Sequence, residues 1–165
     1  MPLICGFAGG GAGMPLKELS GIFPNLTATK QTITSPIDAN YNCVAWAVNE
    51  TLRWWEPYGL IIPASFPPYY WPDDLPQNLL PQTFIRLFEA HGFEVTDDNR
   101  LEHDFEKLAL YVRENKFQHV ARQLPNGRWT SKIGTNEDIE HGLGDLESDI
   151  PYGYGKASIF MKRKK

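Results

Sequence analysis

The chain is poor in residues that mark several common functional classes. Its 165 residues include only two cysteines, Cys5 and Cys43, and four histidines. No Cys-x-x-Cys or His-x-x-x-His spacing occurs among them, so we expect neither a metal site nor a cofactor. Lys and Arg number 16 against 20 Asp and Glu, a net charge of −4 that does not favour nucleic acid as a partner.

Long hydrophobic runs are also absent. No apolar stretch approaches the ~18 residues that a membrane-spanning helix needs, so we expect no membrane association. The N-terminus lacks the positively charged region of a secretory signal. We therefore expect a cytoplasmic protein with reduced thiols, or an effector exported without a signal peptide. The sequence leaves the oligomeric state open.

The length of the chain favours a single domain with a real hydrophobic core. Residues 1–21 are punctuated by Gly and Pro, and "GGGAG" at 9–13 lacks the strand–turn–helix context of a phosphate-binding loop. We predict a flexible N-terminal segment over residues 1–21 and one domain over residues 22–165. Residues 57–82, rich in Pro and aromatics, predict an ordered loop that could wall a cleft.

Hydrophobic periodicity predicts helices early in the chain and strands late. Val44, Val48, Leu52 and Trp55 share one face of a helix predicted over 43–55. The other predicted elements are a helix from 81 or 82 to 91, a short strand and a polar turn in "FEVTDDNRLEHD", a strand over 107–114, a hairpin around Pro125-Asn126-Gly127, a short helix or turn at "NEDIEHGLGDL" and a last strand at "YGYGKASIFMKRK". This order predicts an α+β fold in which N-terminal helices pack on an antiparallel sheet.

Cys43 begins the first predicted helix and admits two interpretations. Asn40 and Asn42 can end the preceding turn and cap the helix, whose N-terminus would lower the pKa of a thiol there. Cys43 would then be a nucleophile at the border of the apolar face. Alternatively it is a small apolar residue that fills a core.

His119 is the histidine best placed to act as the base that such a thiolate needs. It lies inside a predicted strand, on the face of Phe117 and Ala121, although a semi-buried structural imidazole is also compatible with that position. His91 and His141 fit helix C-terminal caps, and His103 lies in an acidic, exposed stretch.

The hairpin register decides which residue orients the imidazole. A three-residue turn at Pro125–Gly127 puts Ser131 on the face of His119, whereas a two-residue turn puts Lys132 there. We prefer Ser131 as the third group. The Cys43 amide and Asn42 are candidates for an oxyanion hole. We expect Trp46, Trp54 and Trp129 to line the substrate cleft.

Two resemblances accompany these residues. The pattern "YNCVAWA … WW … HVARQLPNGRWTSKIG … DIEH … YG" resembles a family of uncharacterised bacterial proteins that carry a domain of unknown function, from about residue 22 onward. More broadly, a Cys at a helix start followed by a His on a strand resembles the papain-like cysteine hydrolases. The broader resemblance implies a papain-like fold and acyl transfer through a Cys43 thioester with His119 as base. The chain has no Gln before Cys43 and no Asp or Asn after His119 in the usual positions. A divergent dyad and an inactive scaffold therefore both stay open.

Two functions follow from these patterns. The first is a cysteine hydrolase, peptidase or amidase, that cleaves a peptide or protein substrate with Cys43, His119 and Ser131. The alternative is a non-catalytic protein-binding module, in which the aromatic loop 54–71 forms the recognition surface. Its aromatic residues are either partner-facing anchors or part of the core.

Overall fold

A computed structural model describes residues 19–26, 31–57 and 69–165 of the chain. Within these ranges the fold is dominated by one seven-stranded sheet, with a separate two-stranded sheet. The strands are β1 (Thr32–Ser35), β2 (Trp54–Trp55), β3 (Tyr69–Tyr70), β4 (Glu94–Thr96), β5 (Phe105–Arg113), β6 (Lys116–Gln123), β7 (Trp129–Lys132), β8 (Asp138–His141) and β9 (Lys156–Lys164); the helices are α1 (Cys43–Ala47), α2 (Pro81–Glu89) and a 3₁₀ helix (Leu143–Leu146).

The large sheet is antiparallel throughout and has the strand order β1-β8-β7-β6-β5-β9-β4. The neighbouring strands β5 and β6 are joined by Glu114 and Asn115, both with positive φ, as the favoured two-residue hairpin turn requires. The hairpin predicted around residues 125–127 is confirmed as β6 and β7. Its register pairs Arg122 with Thr130 and Gln123 with Trp129, which corresponds to the three-residue alternative.

The first helix is much shorter than its hydrophobic pattern predicted. It ends at Ala47 because Asn49 adopts a left-handed conformation (φ 63°), and the Glu50 and Asn49 amides bond back to the Ala45 and Trp46 carbonyls. This is the usual C-terminal arrangement in which Asn replaces Gly. Trp54 and Trp55, predicted as the last helical residues, form β2 instead.

The second helix agrees with its prediction. Pro81 occupies its first turn, where a missing N–H costs nothing, and the left-handed Gly92 follows its end. Phe84, Leu87 and Phe88 form its buried stripe. No helix in the described ranges has both the length and the apolar character to cross a membrane.

The large sheet separates two apolar cores. The helix-side core contains Cys43, Val44, Phe84, Leu87, Phe88, Leu108, Leu110, Phe117 and Val120, with other residues of α1, α2 and their loops. The opposite core contains Leu19, Phe23, Ala109, Tyr111, Ala121, Trp129, Ile139, Leu146 and Tyr154. Alternation along β5 and β6 therefore assigns most of their side chains to one core or the other. The register shift between Tyr111 and Val112 is an exception: it leaves Phe117 in the helix-side core, so the expectation that His119 shares the face of Phe117 is wrong.

The predicted fold class is wrong. In the described ranges the chain is mostly antiparallel sheet with two short α-helices, so this part does not show N-terminal helices packed on a sheet or the papain-like arrangement. The prediction of one long helix was wrong because the apolar residues of "CVAWAVNETLRWW" keep a helical spacing although the chain turns after Ala47. The segment "NEDIEHGLGDL" likewise contains a strand, β8, before its short helix. Most of the predicted N-terminal segment 1–21, and residues 58–68 of the aromatic loop, lie outside the described residues.

Two glycines with positive φ provide a matched test of this packing. A Cβ on Gly155 (φ 75°) would collide with the Val112 carbonyl, whereas a Cβ on Gly127 (φ 83°) would meet open space. We expect Gly127→Ala to lower the free energy of unfolding by about 1–2 kcal/mol, the cost of the left-handed backbone. Gly155→Ala should cost roughly 4 kcal/mol or more, because the clash is added. Urea unfolding measures both; equal losses would contradict the close approach of Gly155 to β5.

Candidate functional site

Cys43 is fully buried in the helix-side core. It is 0% exposed, packs among the apolar residues of that core and is disulfide-bonded. The expectation of reduced thiols is therefore wrong for this structure. The other cysteine of the chain, Cys5, lies outside the described residues. In this state Cys43 has neither a thiol to ionise nor access to solvent, so the structure agrees with the alternative of a core residue.

Cys43 and His119 lie on opposite faces of the large sheet. Val120 pairs with Leu110, and both belong to the helix-side core with Cys43. His119 pairs with Tyr111, whose ring belongs to the opposite core. Because successive side chains of a strand point to opposite faces, the sheet itself separates the sulfur from the imidazole. The structure thus does not bring the predicted nucleophile and base together.

Asn42 acts as the N-cap of α1. Its Oδ1 atom accepts hydrogen bonds from the Ala45 amide (3.2 Å) and the Trp55 amide (3.3 Å), while its Nδ2 donates to the Trp55 carbonyl (2.7 Å). The predicted capping role is confirmed. Both ends of the side-chain amide are used to join α1 to β2, so in this structure the residue predicted for an oxyanion hole holds the backbone instead.

Ser131 links His119 to a second histidine, His141. The register of β6 and β7 places Ser131 opposite Ala121, and that of β7 and β8 places it opposite Ile139. His119 and His141 lie two residues from those partners, and therefore on the same face as Ser131. The Ser131 hydroxyl oxygen is 2.8 Å from His119 Nε2 and 2.7 Å from His141 Nε2. We call these three residues the histidine–serine cluster.

The hydrogen-bond partners fix where the protons of this cluster lie. His141 Nδ1 is 2.7 Å from the Gly142 carbonyl, which only accepts, so Nδ1 carries the proton and Nε2 of the neutral ring accepts. Ser131 donates its single hydrogen to His141 Nε2 and accepts from His119 Nε2–H. His119 Nδ1 is left as a bare acceptor with no partner among the described residues.

Burial keeps both imidazoles neutral. Burial is the largest cause that lowers the pKa of His119 well below its usual value, and the neighbouring His141 adds to the effect. Burial also lowers the pKa of His141 to about 4, although the Gly142 carbonyl and Asp145 oppose it. All three side chains are 0% exposed. The cluster is a closed polar network on the side of the sheet that faces the opposite core.

The three tryptophans predicted for a substrate cleft lie in different parts of the fold. Trp46 is half-buried beside Arg122, whose guanidinium lies 5.0 Å from its ring centroid. Trp54 is buried and donates to Glu56 (2.8 Å). Trp129 packs in the opposite core. They do not line one cleft.

An open groove lies on the surface where the α1–β2 turn meets β3. It has a volume of about 420 Å³ and is lined by Val48, Asn49, Glu50, Thr51, Leu52, Arg53, Trp55, Tyr70 and His91. We call it the α1–β2 groove. Leu52 is 74% exposed at this groove, whereas Trp55 and Trp71 of the aromatic segment are buried.

Arg53 is held at one wall of the groove. Its Nε donates to Glu50 (2.7 Å), and its guanidinium lies 4.2 Å from the Tyr70 ring centroid and 5.7 Å from that of Trp55. Partial burial would raise the pKa of Glu50, but hydrogen bonds from the Leu52 amide and Arg53 outweigh it and lower that pKa. The groove therefore combines apolar, aromatic and ionic groups.

Sequence reasoning missed the role of His141, which it assigned to a helix cap. The sequence contains a feature that predicts a strand there: Ile139 and His141 are two residues apart within "DIEH", as on one face of a half-buried strand. No group of three or more His, Cys, Asp or Glu suited to a metal ion occurs in the described part of the chain.

The chain belongs to the family described as "Domain of unknown function (DUF7689)", whose model matches residues 32–162. This supports the narrower resemblance, to an uncharacterised family, but assigns no activity. Comparison with curated proteins and with solved structures gave no match. The matched region contains α1, the histidine–serine cluster and the α1–β2 groove.

Cysteine reactivity distinguishes the two interpretations of Cys43. Because Cys43 is buried and disulfide-bonded, we expect iodoacetamide to leave it unmodified in the native, unreduced protein near neutral pH. Peptide mass spectrometry detects the modification, and the same protein after reduction and denaturation is the positive control. Rapid native labelling of Cys43 would instead favour the nucleophile.

Removing the Ser131 hydroxyl should destabilise the protein. Ser131→Ala leaves two buried imidazole nitrogens without their shared partner, so we expect a loss of about 2–3 kcal/mol in the free energy of unfolding by urea. Ser158→Ala, at an exposed position of β9, is the matched control and should change it by less than about 0.5 kcal/mol. Equal effects of the two variants would contradict the bridging role.

Proposed function

We propose that this family member is a non-catalytic protein-binding module whose recognition surface is the α1–β2 groove. The observation that carries the proposal is Leu52, a large apolar side chain left 74% exposed beside a groove with aromatic walls. Exposed apolar groups beside a concave surface are typical of interaction sites. The proposal retains the binding alternative predicted from the sequence and centres it on the turn before Trp54.

The preorganisation of Arg53 supports this function. Its side chain is 40% exposed, is fixed by Glu50 through Nε and stacks on Tyr70. Tyr and Arg contribute disproportionately to binding energy at protein interfaces, and a side chain that is already ordered loses less entropy on binding. The Nη edge of such a guanidinium is suited to a hydrogen-bond acceptor.

The chemistry of the groove suggests what its partner presents. An apolar side chain of a protein segment would pack on Leu52 and Tyr70, and a carbonyl or carboxylate beside it would accept from Arg53. Because Glu50 already balances the charge of Arg53, hydrogen bonding and apolar contact would contribute more than net charge.

The buried state of the predicted catalytic groups favours binding over catalysis. A cysteine hydrolase would need Cys43 as a free thiolate on the same side of the sheet as His119. In this structure Cys43 is disulfide-bonded in the helix-side core and His119 faces the opposite core. The hydrolase thus requires a rearrangement, whereas binding at the groove requires none.

Selection from a displayed library of linear peptides tests the proposal without a known partner. Peptides enriched on the wild type are measured against Leu52→Asp and Arg53→Ala, each at an exposed or half-exposed side chain. We expect either variant to raise the Kd at least about tenfold, equivalent to ~1.4 kcal/mol of binding free energy. Thermal unfolding of each variant checks that the fold is retained.

Ile150→Asp is the matched control, since Ile150 is an exposed apolar residue outside the groove. It should change the Kd less than about twofold. The proposal is overturned if no peptide is enriched, or if the enriched peptides bind Leu52→Asp and Arg53→Ala as tightly as the wild type.

A further inference from the structure

Residues 142–155 form a segment that covers the side of the large sheet opposite the helices. We call it the cover segment. Its Leu146 and Tyr154 are buried in the opposite core, and the Tyr111 hydroxyl of β5 donates to its Leu143 carbonyl (2.7 Å). The segment contains the 3₁₀ helix and one turn, closed by the Gly153 amide on the Ile150 carbonyl, and its single isolated bridge, between Ser148 and Gly155, lies within the segment. Side-chain contacts therefore carry most of its attachment.

The histidine–serine cluster contacts both ends of the cover segment. At its start, His141 Nδ1–H donates to the Gly142 carbonyl (2.7 Å). Near its end, the Tyr154 ring stacks on His119, with centroids 4.3 Å apart and an angle of 6° between the rings. Ser131 connects these two contacts through one hydroxyl. Three side chains from three adjacent strands, β6, β7 and β8, thus contribute to the attachment, beside the Tyr111 hydroxyl and the Arg113 guanidinium, which donates to the Ile150 carbonyl (2.7 Å).

The hydrogen-bond chain has no place for an extra proton. If His141 gained one, its Nε2 would become a donor facing the Ser131 oxygen. The Ser131 oxygen could accept from both N–H groups, but the Ser131 hydrogen would lose its acceptor. A proton on His119 Nδ1 would meet no acceptor among the described residues. Either imidazolium would also be a buried charge.

The charged neighbours do not offset this cost. His141 faces Asp145 and Glu140, which favour its charged form, and Arg128, which opposes it. Asp145 already accepts from the Gly142 amide (2.8 Å), and Glu140 is paired with Arg128 (2.8 Å). His119 faces His141 and the rings of Tyr111 and Tyr154.

We propose that the histidine–serine cluster is an acid-sensitive latch, which holds the cover segment on the sheet while both imidazoles are neutral and releases it when protons bind. Release would expose Tyr111 and Leu146, whereas Leu19, Phe23 and Leu26, which lie outside the segment, also cover the opposite core. The strands β5, β6 and β9 would stay paired, since their backbone hydrogen bonds do not depend on the side chains of the cluster.

The direction of the pH effect follows from the pKa of His141. Its value is about 4 in the closed state and near the usual 6.5 once the residue is released to water. The stabilisation is complete above about pH 6.5, where both states are neutral. It decreases as pH falls from about 6.5 to 4, because only the open state binds the proton.

Hydrogen exchange measured by mass spectrometry at pH 7.5 and 5.0, corrected for intrinsic rates, tests the latch in the intact chain. From the two pKa values we expect the opening constant of the cover segment to rise at least about thirtyfold, while peptides from β5 and β9 remain protected. In His141→Gln, whose residue 141 cannot bind a proton, the increase in the opening constant between pH 7.5 and 5.0 should be about thirtyfold smaller. His103→Gln, at an exposed histidine, should behave as the wild type.

A second measurement does not depend on a variant folding. Nitrogen-15 NMR of the imidazoles at pH 7 should find His119 protonated at Nε2 alone and His141 at Nδ1 alone. The opposite tautomers, or a charged ring at pH 7, would overturn the proposal. So would a cover segment whose exchange does not change with pH, or a loss of protection that spreads equally to β5 and β9.

Discussion

The alternation of side chains along the central strands is the constraint on which the rest of this structure depends. Each residue of β5, β6 and β7 faces one core or the other, and a shift of one position exchanges the two sets. This alternation places Val120 beside α1 and His119 beside the cover segment, although the two residues are adjacent in the chain. Side chains from the two sides, such as Cys43 and His119, cannot meet to form a catalytic dyad, because the sheet lies between them and both of its faces are packed.

Buried polar groups hold this register in place. Ser131 satisfies two imidazoles only when β6, β7 and β8 are aligned as observed, because both rings are diagonal neighbours of the same hydroxyl. Lys107 acts similarly at the other end of β5, where its ammonium donates to the Asp98 and Arg100 carbonyls (2.8 and 2.6 Å). A shifted register would bury these groups without partners, at a cost of several kcal/mol. The polar network therefore specifies one alignment among several that apolar contacts alone would tolerate.

The sequence predicted local features better than long-range ones. The sequence Pro125-Asn126-Gly127 predicted the hairpin, and Pro81 and Gly92 predicted the ends of α2. Both predictions depend only on the backbone preferences of a few adjacent residues. The early end of α1 depended on Asn49, whose left-handed conformation competes with a strongly helical pattern. Trp54 and Trp55 form β2 rather than helix by pairing with Tyr69 and Tyr70, which are distant in sequence, and the Asn42 side chain bonds to Trp55 across the turn.

The candidate site was predictable only where one hairpin fixed the geometry. Ser131 lies beside His119 because the two residues belong to neighbouring strands joined by a short turn. A turn of that length allows only two strand registers, and one of them places Ser131 on the face of His119. The third member, His141, comes from β8, and the position of Cys43 depends on which face α1 covers. Hydrophobic periodicity predicts neither the position of His141 nor that of Cys43, since both positions depend on the order of the strands in the sheet.

The two proposed sites are separated by the same sheet that separates the cores. The α1–β2 groove includes residues of α1's turn and of β3 on the helix side, whereas the cover segment packs on Tyr111 and His119 on the other side. Coupling between them would have to pass through β5 and β6, which remain joined by their backbone hydrogen bonds when the cover segment leaves. Acid release of the cover segment should therefore leave the shape of the groove unchanged. The two proposals thus place a binding surface and a releasable segment on opposite sides of one sheet.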